Sequence, residues 1–207
     1  MQQGSEEWKQ ARCGSLGASV IHEIVARTKT GFSTSRENRK TALVLERLTG
    51  RPEATYQSEA MLAGTEREPA ARFEYAMKSG SEIEEVGLIL HPTIAGTHAS
   101  PDGLIGRDGM LEIKCMQPTG HLKVFTTRTF DDRHRKQMAW QLACAQREWV
   151  DFVAYSPEFP KEMQLRIIRY YREDKLTTEL EIAAREFLAE VDATVADLRK
   201  EFMQGAA

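Results

Sequence analysis

The stretch SPDGLIGRDGMLEIKC, Ser100 to Cys115, constrains the fold of this chain more than any other segment. Its apolar residues Leu104, Ile105 and Leu111 lie on two short runs joined by Arg107-Asp108-Gly109, the turn chemistry of an antiparallel hairpin. A hairpin this apolar belongs in a core, yet it also carries Asp102, Glu112 and Lys114. Glu112 and Lys114 stand two apart on one strand, so their side chains leave the same face while Ile113 points the other way. If the strands pair about a turn centred on Arg107, Asp102 comes opposite Glu112 and the three polar groups converge. A register half a residue away needs a bulge to bring Asp102 round.

The rest of the chain reads as helices around that hairpin. Ser5 followed by Glu6 and Glu7 resembles an N-cap with acidic residues in the first turn, which predicts a helix over Ser5 to Arg12. A second helix is expected from Gly17 or Ala18 to about Arg27, then a polar loop over Thr28 to Ser35. A third runs from about Glu37 to Thr49 and stops at Gly50 and Pro52. Gln57 to Lys78 is helical with a kink or restart near Glu66, because Pro69 lacks a backbone donor. From Ile83 the pattern turns to strands, EEVGLIL, THASPDGLIG and GMLEIKC, which read as a meander. HLKVFTT and Asp131 to Glu148 return to helix, WVDFVAY and MQLRIIRYY to strand, and Leu176 to Met203 forms an amphipathic helix. The expected architecture is α/β, a central mixed sheet flanked by helices, within one domain over 1–207: N-terminal helices to about 80, the sheet core over about 81–172, and the C-terminal helix over about 174–203.

Composition narrows the class without naming a function. A net charge of −3, 41% hydrophobic and 29% charged residues describe an ordinary globular chain rather than a broadly basic nucleic-acid binder. The RHRK cluster, Arg133 to Lys136, reads equally as a solvated helix face or a phosphate contact. Cys13, Cys115 and Cys144 are scattered and form no CxxC pair, which fits a reduced setting. With no signal-like N-terminus and no long apolar run, a soluble cytoplasmic protein is expected, with no membrane.

Two facing carboxylates repel, so they require a cation or a shared proton. All-oxygen ligation by a few carboxylates plus water suits Mg²⁺ or Mn²⁺. Lys114 beside them can hold an attacking water or stabilise charge developing on phosphorus. The competing interpretation is a surface hairpin with ordinary cross-strand ion pairs, worth little. Pro101, Gly103 and the apolar neighbours weigh against it.

Pro-Asp followed after ten residues by Glu-Ile-Lys is the form of the PD-(D/E)XK nuclease superfamily. Four ordered blocks, QGSEEWKQARCGSLGAS, GTEREPAARFEY, SPDGLIGRDGMLEIKC and QMAWQLACAQREWVDFVAYSP, together resemble the lambda exonuclease group of phage alkaline exonucleases, the YqaJ-like viral recombinases. This resemblance implies a restriction-endonuclease-like core, with Asp102, Glu112 and the Ile113 carbonyl as metal ligands and Lys114 as the catalytic lysine. It implies Glu68 as an acidic residue completing the site from a helix, and Gln137 as a glutamine approaching it, although Gln141 shares that helix face. Arg12 and Ser19 match the positions that hold a terminal 5′-phosphate, where Gly14 and Gly17 would let backbone approach the anion; Arg12 capping the preceding helix is the alternative. Met61 and Leu62 fall where an apolar wedge or plain core packing is expected.

The activity so implied is digestion of double-stranded DNA from 5′ ends in the 5′ to 3′ direction, dependent on two Mg²⁺ ions, with Mn²⁺ as a substitute, leaving a 3′ single strand for recombination by annealing. A ring-shaped homotrimer, a single-strand annealing protein as partner, and phage or prophage origin in a bacterial cytoplasm follow from the same resemblance. The rivals are a PD-(D/E)XK endonuclease or junction resolvase, and a non-catalytic DNA-end-binding module. An iron–sulfur exonuclease is disfavoured, since three scattered cysteines cannot supply four thiolates.

Overall fold

The Ser5 hydroxyl accepts a hydrogen bond from the Trp8 backbone N–H at 3.2 Å, so α1 (Glu6–Arg12) starts where the Ser-Glu-Glu pattern places it. This computed structural model describes the chain apart from residues 30, 54–58 and 204–207, and apart from the side chains of residues 59–61 and 203. The helix expected up to Arg27 is much shorter. β1 (Leu16–Gly17) comes first, then a single 3₁₀ turn (Ala18–Val20) and α2 (Ile21–Ile24). The segment read as a polar loop holds an antiparallel pair, β2 (Arg27–Thr28) and β3 (Gly31–Phe32). The Phe32 ring stabilises it, with the Arg27 and Arg36 guanidinium groups 4.4 and 3.9 Å from its centroid.

α3 (Thr34–Thr49) ends at Gly50, whose φ of 67° lets its N–H reach the Glu46 carbonyl. α4 (Glu59–Ser79) passes through Pro69 as one helix, so of the kink or restart expected near Glu66 the restart does not occur. Ala71 and Tyr75, both fully buried, pack the segment after the proline against Leu111, Ile113 and Val153, which keeps it in register with the turns before it.

The strands after Ile83 do not form one meander. β4 (Ile83–Glu84) belongs to a five-stranded sheet, but β5 (Ile89–Leu90) and β6 (Thr97–Ala99) join β1 in a three-stranded one of order β1-β6-β5. β7 (Gly103–Ile105) and β8 (Gly109–Cys115) return to the large sheet. The chain therefore changes sheets twice, and Ser100-Pro101-Asp102 is the second crossing. α5 (Pro118–Thr127) and α6 (Asp132–Ala145) then lead to β9 (Trp149–Tyr155), parallel to β8, and β10 (Leu165–Tyr171) closes the order β10-β9-β8-β7-β4. α7 (Asp174–Met203) buries Leu180, Ala184, Phe187, Val191 and Val195 along one stripe, in a core shared with Met138 and Leu142 of α6.

The expected hairpin register holds. Gly103 pairs with Leu111 and Ile105 with Gly109, which centres the turn on Arg107. The large sheet is mixed and flanked on one face by α4 and on the other by α6 and α7. No helix among the described residues is long and apolar enough to cross a membrane.

Candidate active site

The pairing of β7 with β8 ends at Gly103 and Leu111, which leaves the Ile113 backbone without a strand partner on that side. Asp102 takes the strand's place. Its Oδ2 accepts from the Ile113 N–H at 2.6 Å, and its own N–H donates to the Leu111 carbonyl at 3.0 Å. Because the N–H and C=O of one strand residue point to the same side, the Ile113 carbonyl is turned towards the Asp102 edge.

Glu112 is 1% exposed and both of its oxygens are engaged. Gln137 donates to Oε1 at 2.6 Å and Gln141 to Oε2, both from α6, while the Lys114 ammonium lies 2.5 Å from Oε1. The sequence left open which glutamine faces the site; in the structure both do, one turn apart.

Burial drives the Asp102 carboxyl pKa well above its ordinary value. Glu112 and Glu68 raise it further, against the pull of Lys114 and the Ile113 N–H. Burial also works against the Lys114 ammonium, but Glu112, Asp102 and Glu68 outweigh it and raise that pKa. Glu68 joins from α4: burial raises its pKa, Arg72 lowers it, and Glu112 raises it again. Arg72, which the sequence did not single out, donates to Glu68 at 2.6 Å and pairs with Glu85 at 3.1 Å. Asp102 and Glu112 thus share the single Lys114 ammonium while Glu68 has Arg72 as its own partner, an excess of carboxylate that favours a bound cation.

The donor chemistry fits a hard divalent ion. Burial, then Glu68 and Asp102, push the neighbouring Cys115 thiol up to about 12, and the groups that meet at Asp102 and Glu112 are oxygen donors. Among the described residues no three His, Cys, Asp or Glu side chains gather closely enough to hold a metal by themselves. Asp102, Glu112 and the Ile113 carbonyl are oxygen donors that could hold such an ion, with water and phosphate oxygens filling the other positions as at many Mg²⁺ sites. Beside Lys114 opens a cavity of about 320 Å³ whose lining includes Lys123, Phe130, Arg133 and His134.

Arg12 lies on the other side of the Ser100-Pro101-Asp102 crossing. Its guanidinium is 3.9 Å from the Trp8 ring centroid, and its Nε donates to His98 Nε2 at 3.0 Å. Trp8 Nε1 donates to the Gly87 carbonyl at 2.8 Å and to Ser100 Oγ at 3.2 Å, and Gln3 donates to the Pro101 carbonyl at 2.9 Å. These bonds fasten α1 to the segment that delivers Asp102. Ser19 is exposed on the 3₁₀ turn. The two glycines do not stand open to an anion: the Gly14 N–H donates to Glu46 at 2.6 Å, and Gly17 faces the His98 ring. Leu62 is 46% exposed on α4, and the side chain of Met61 lies outside the described residues. His98, Ser15 and Ser100 carried no signal in the sequence, being single residues whose partners are distant along the chain.

The profile of the YqaJ-like viral recombinase domain matches residues 7–148. The crystal structure of an alkaline exonuclease from Laribacter hongkongensis superposes with a TM-score of 0.91 at 40% identity, covering 98% of this chain and 100% of that one. The same enzyme in complex with dAMP also gives 0.91, at 41% identity over 98% and 100% of the two chains. A phage-related exonuclease from Haemophilus somnus 129PT shares the fold alone, with a TM-score of 0.70 at 12% identity over 89% of this chain and 96% of that one. A comparison with curated proteins finds no match. The chain belongs to the YqaJ-like viral recombinase family and is a homologue of a lambda-exonuclease-like alkaline exonuclease, built on the PD-(D/E)XK nuclease fold.

Proposed function

We propose that the chain is a Mg²⁺-dependent exonuclease that degrades double-stranded DNA from its 5′ ends and leaves 3′ single strands for annealing in phage-type recombination in the bacterial cytoplasm. The observation that carries this reading is the Asp102–Glu112–Lys114 cluster, in which buried Glu112 and half-buried Asp102 meet one ammonium at the end of β8.

Asp102, Glu112 and the Ile113 carbonyl are the groups that would hold Mg²⁺, with Glu68 completing the pocket. Bound there, a pair of Mg²⁺ ions supplies Lewis acidity towards the phosphodiester and lowers the pKa of a water. The protein's own part is positional and electrostatic. Gln137 and Gln141 keep the Glu112 carboxylate in one orientation, and Lys114 stands ready to donate a hydrogen bond to the attacking water or to a phosphoryl oxygen. The adjoining cavity is lined by Arg133 and by Lys123, the latter paired with Asp131 at 2.7 Å, and Arg133 is the cation that would meet a backbone phosphate there. Arg12 would present its remaining guanidinium nitrogens to a terminal 5′-phosphate, and Leu62, exposed on α4, would act as an apolar wedge between the strands.

Incubation of linear duplex, nicked circle and closed circle with Mg²⁺ tests the reading. Loss of the linear duplex alone, blocked by chelator and unsupported by Ca²⁺, is expected. Cutting of closed circles would establish an endonuclease instead, and binding of ends without cleavage a non-catalytic module. A homotrimeric ring and a single-strand annealing partner are the assembly consistent with family resemblance; light scattering that gives a stable monomer with and without DNA would refute the trimer.

A further inference from the structure

We infer that His98 is a positioning residue of the terminal-phosphate anchor, holding the Arg12 guanidinium by its Nε edge so that the terminal nitrogens face the DNA end. The inference rests on the proposed reading of Arg12 as that anchor and assigns the residue that aims it.

Hydrogen-bond direction settles the chemistry of the His98 ring. An arginine N–H can only donate, so His98 Nε2, 3.0 Å from Arg12 Nε, is an acceptor without a proton. The neutral ring then carries its proton on Nδ1 and donates to Ser15 Oγ at 2.8 Å. Burial, and secondarily the Arg12 charge, depress the His98 pKa to about 3, so this neutral tautomer persists at working pH. With Nε tied and one guanidinium face on Trp8, Arg12 has few orientations left. Its Nη atoms remain for a forked contact with an anion.

The backbone around His98 is shaped to seat the ring. β6 pairs with β1 so that His98 stands beside Gly17, and a Cβ on Gly17 would lie 2.8 Å from His98 Nε2. Gly17 has a φ of −91°, which any residue adopts, so closeness to the ring rather than backbone strain demands glycine there. Four residues after His98 the same segment becomes Asp102. One short stretch thus sets both the anchor and a carboxylate of the cleavage site, which fixes their mutual register.

The test compares initial rates on matched linear duplexes ending in 5′-phosphate or 5′-hydroxyl, for wild type, Arg12→Ala, His98→Leu, His98→Gln and Gly17→Ala. The expected result is a preference for phosphate in wild type that falls about tenfold in His98→Leu, the rate on phosphate ends dropping far more than the rate on hydroxyl ends. Gln retains an acceptor near the Nε2 position, so His98→Gln keeps most of the preference. Gly17→Ala, which displaces the ring, loses it. A fall of equal size on both ends in His98→Leu, or equal loss in the Leu and Gln variants, overturns the inference. If Arg12→Ala removes the preference while His98→Leu retains it, His98 has no positioning role although the anchor stands. If wild type shows no preference, the anchor reading fails and this inference with it.

Discussion

The Lys114 ammonium lies 2.5 Å from Glu112 Oε1, a counter-ion to a carboxylate that is almost wholly buried. One residue thus serves as counter-ion in the resting site and as the proposed donor in the reaction. Lys114→Ala is expected to reduce the rate of single-turnover cleavage by about 10²–10⁴-fold. Affinity for Mg²⁺ and DNA should stay near wild type; loss of metal binding in a calorimetric titration would show that Lys114 holds the pocket together rather than acting in the chemical step.

Gln137 and Gln141 grip opposite oxygens of Glu112 from successive turns of α6. Gln141→Leu removes the donor to Oε2 and leaves the carboxylate held only at Oε1, by Gln137 and Lys114. Mg²⁺ affinity should weaken by about 10–100-fold, with activity recovering at high Mg²⁺. Unchanged metal dependence in this variant would mean that Gln137 alone orients the carboxylate.

Stability should depend on pH through histidines buried in neutral form. The His98 pKa is depressed to about 3 and that of His134 to about 4, each chiefly by burial, whereas an unfolded histidine titrates near 6.5. Below pH ~6.5 the unfolded chain therefore binds more protons than the folded one. Their contribution is complete above that pH and is lost as pH falls towards 4 and then 3, with a slope of up to ~1.4 kcal/mol per pH unit for each group. Denaturant midpoints between pH 7 and 4.5 measure this. His98→Gln should flatten the curve, and an unaltered slope would contradict the assignment.

Tyr75 ties α4 to the sheet through a 2.7 Å hydrogen bond to buried Asp151, which also receives two bonds from Arg169 at 2.8 and 2.9 Å. Tyr75→Phe keeps the ring and removes one donor from the carboxylate. A loss of about 1–3 kcal/mol in urea unfolding is expected, with cleavage on folded protein retained. A cost near zero would indicate that water or Arg169 takes over the bond.

Short-range chemistry in the sequence determined a good part of this molecule. The cap at Ser5, the stop at Gly50 and the hairpin about Arg107 each depend on residues within a few positions of one another. The spacing of Asp102, Glu112 and Lys114 was legible for the same reason, since alternation along a strand and the centre of a turn fix where side chains emerge. The partition of strands between two sheets was not. β4, β5, β6 and β7 are two or three residues long, too short to carry a periodic signal, and β1 finds its partner β6 roughly eighty residues away. The continuity of α4 through Pro69 was likewise decided by burial of Ala71 and Tyr75 against the sheet. Only the tertiary structure brought His98 to Gly17 and Arg12, and Gln141 to Glu112, because hydrogen bonds between distant segments depend on how layers stack, which no local pattern encodes.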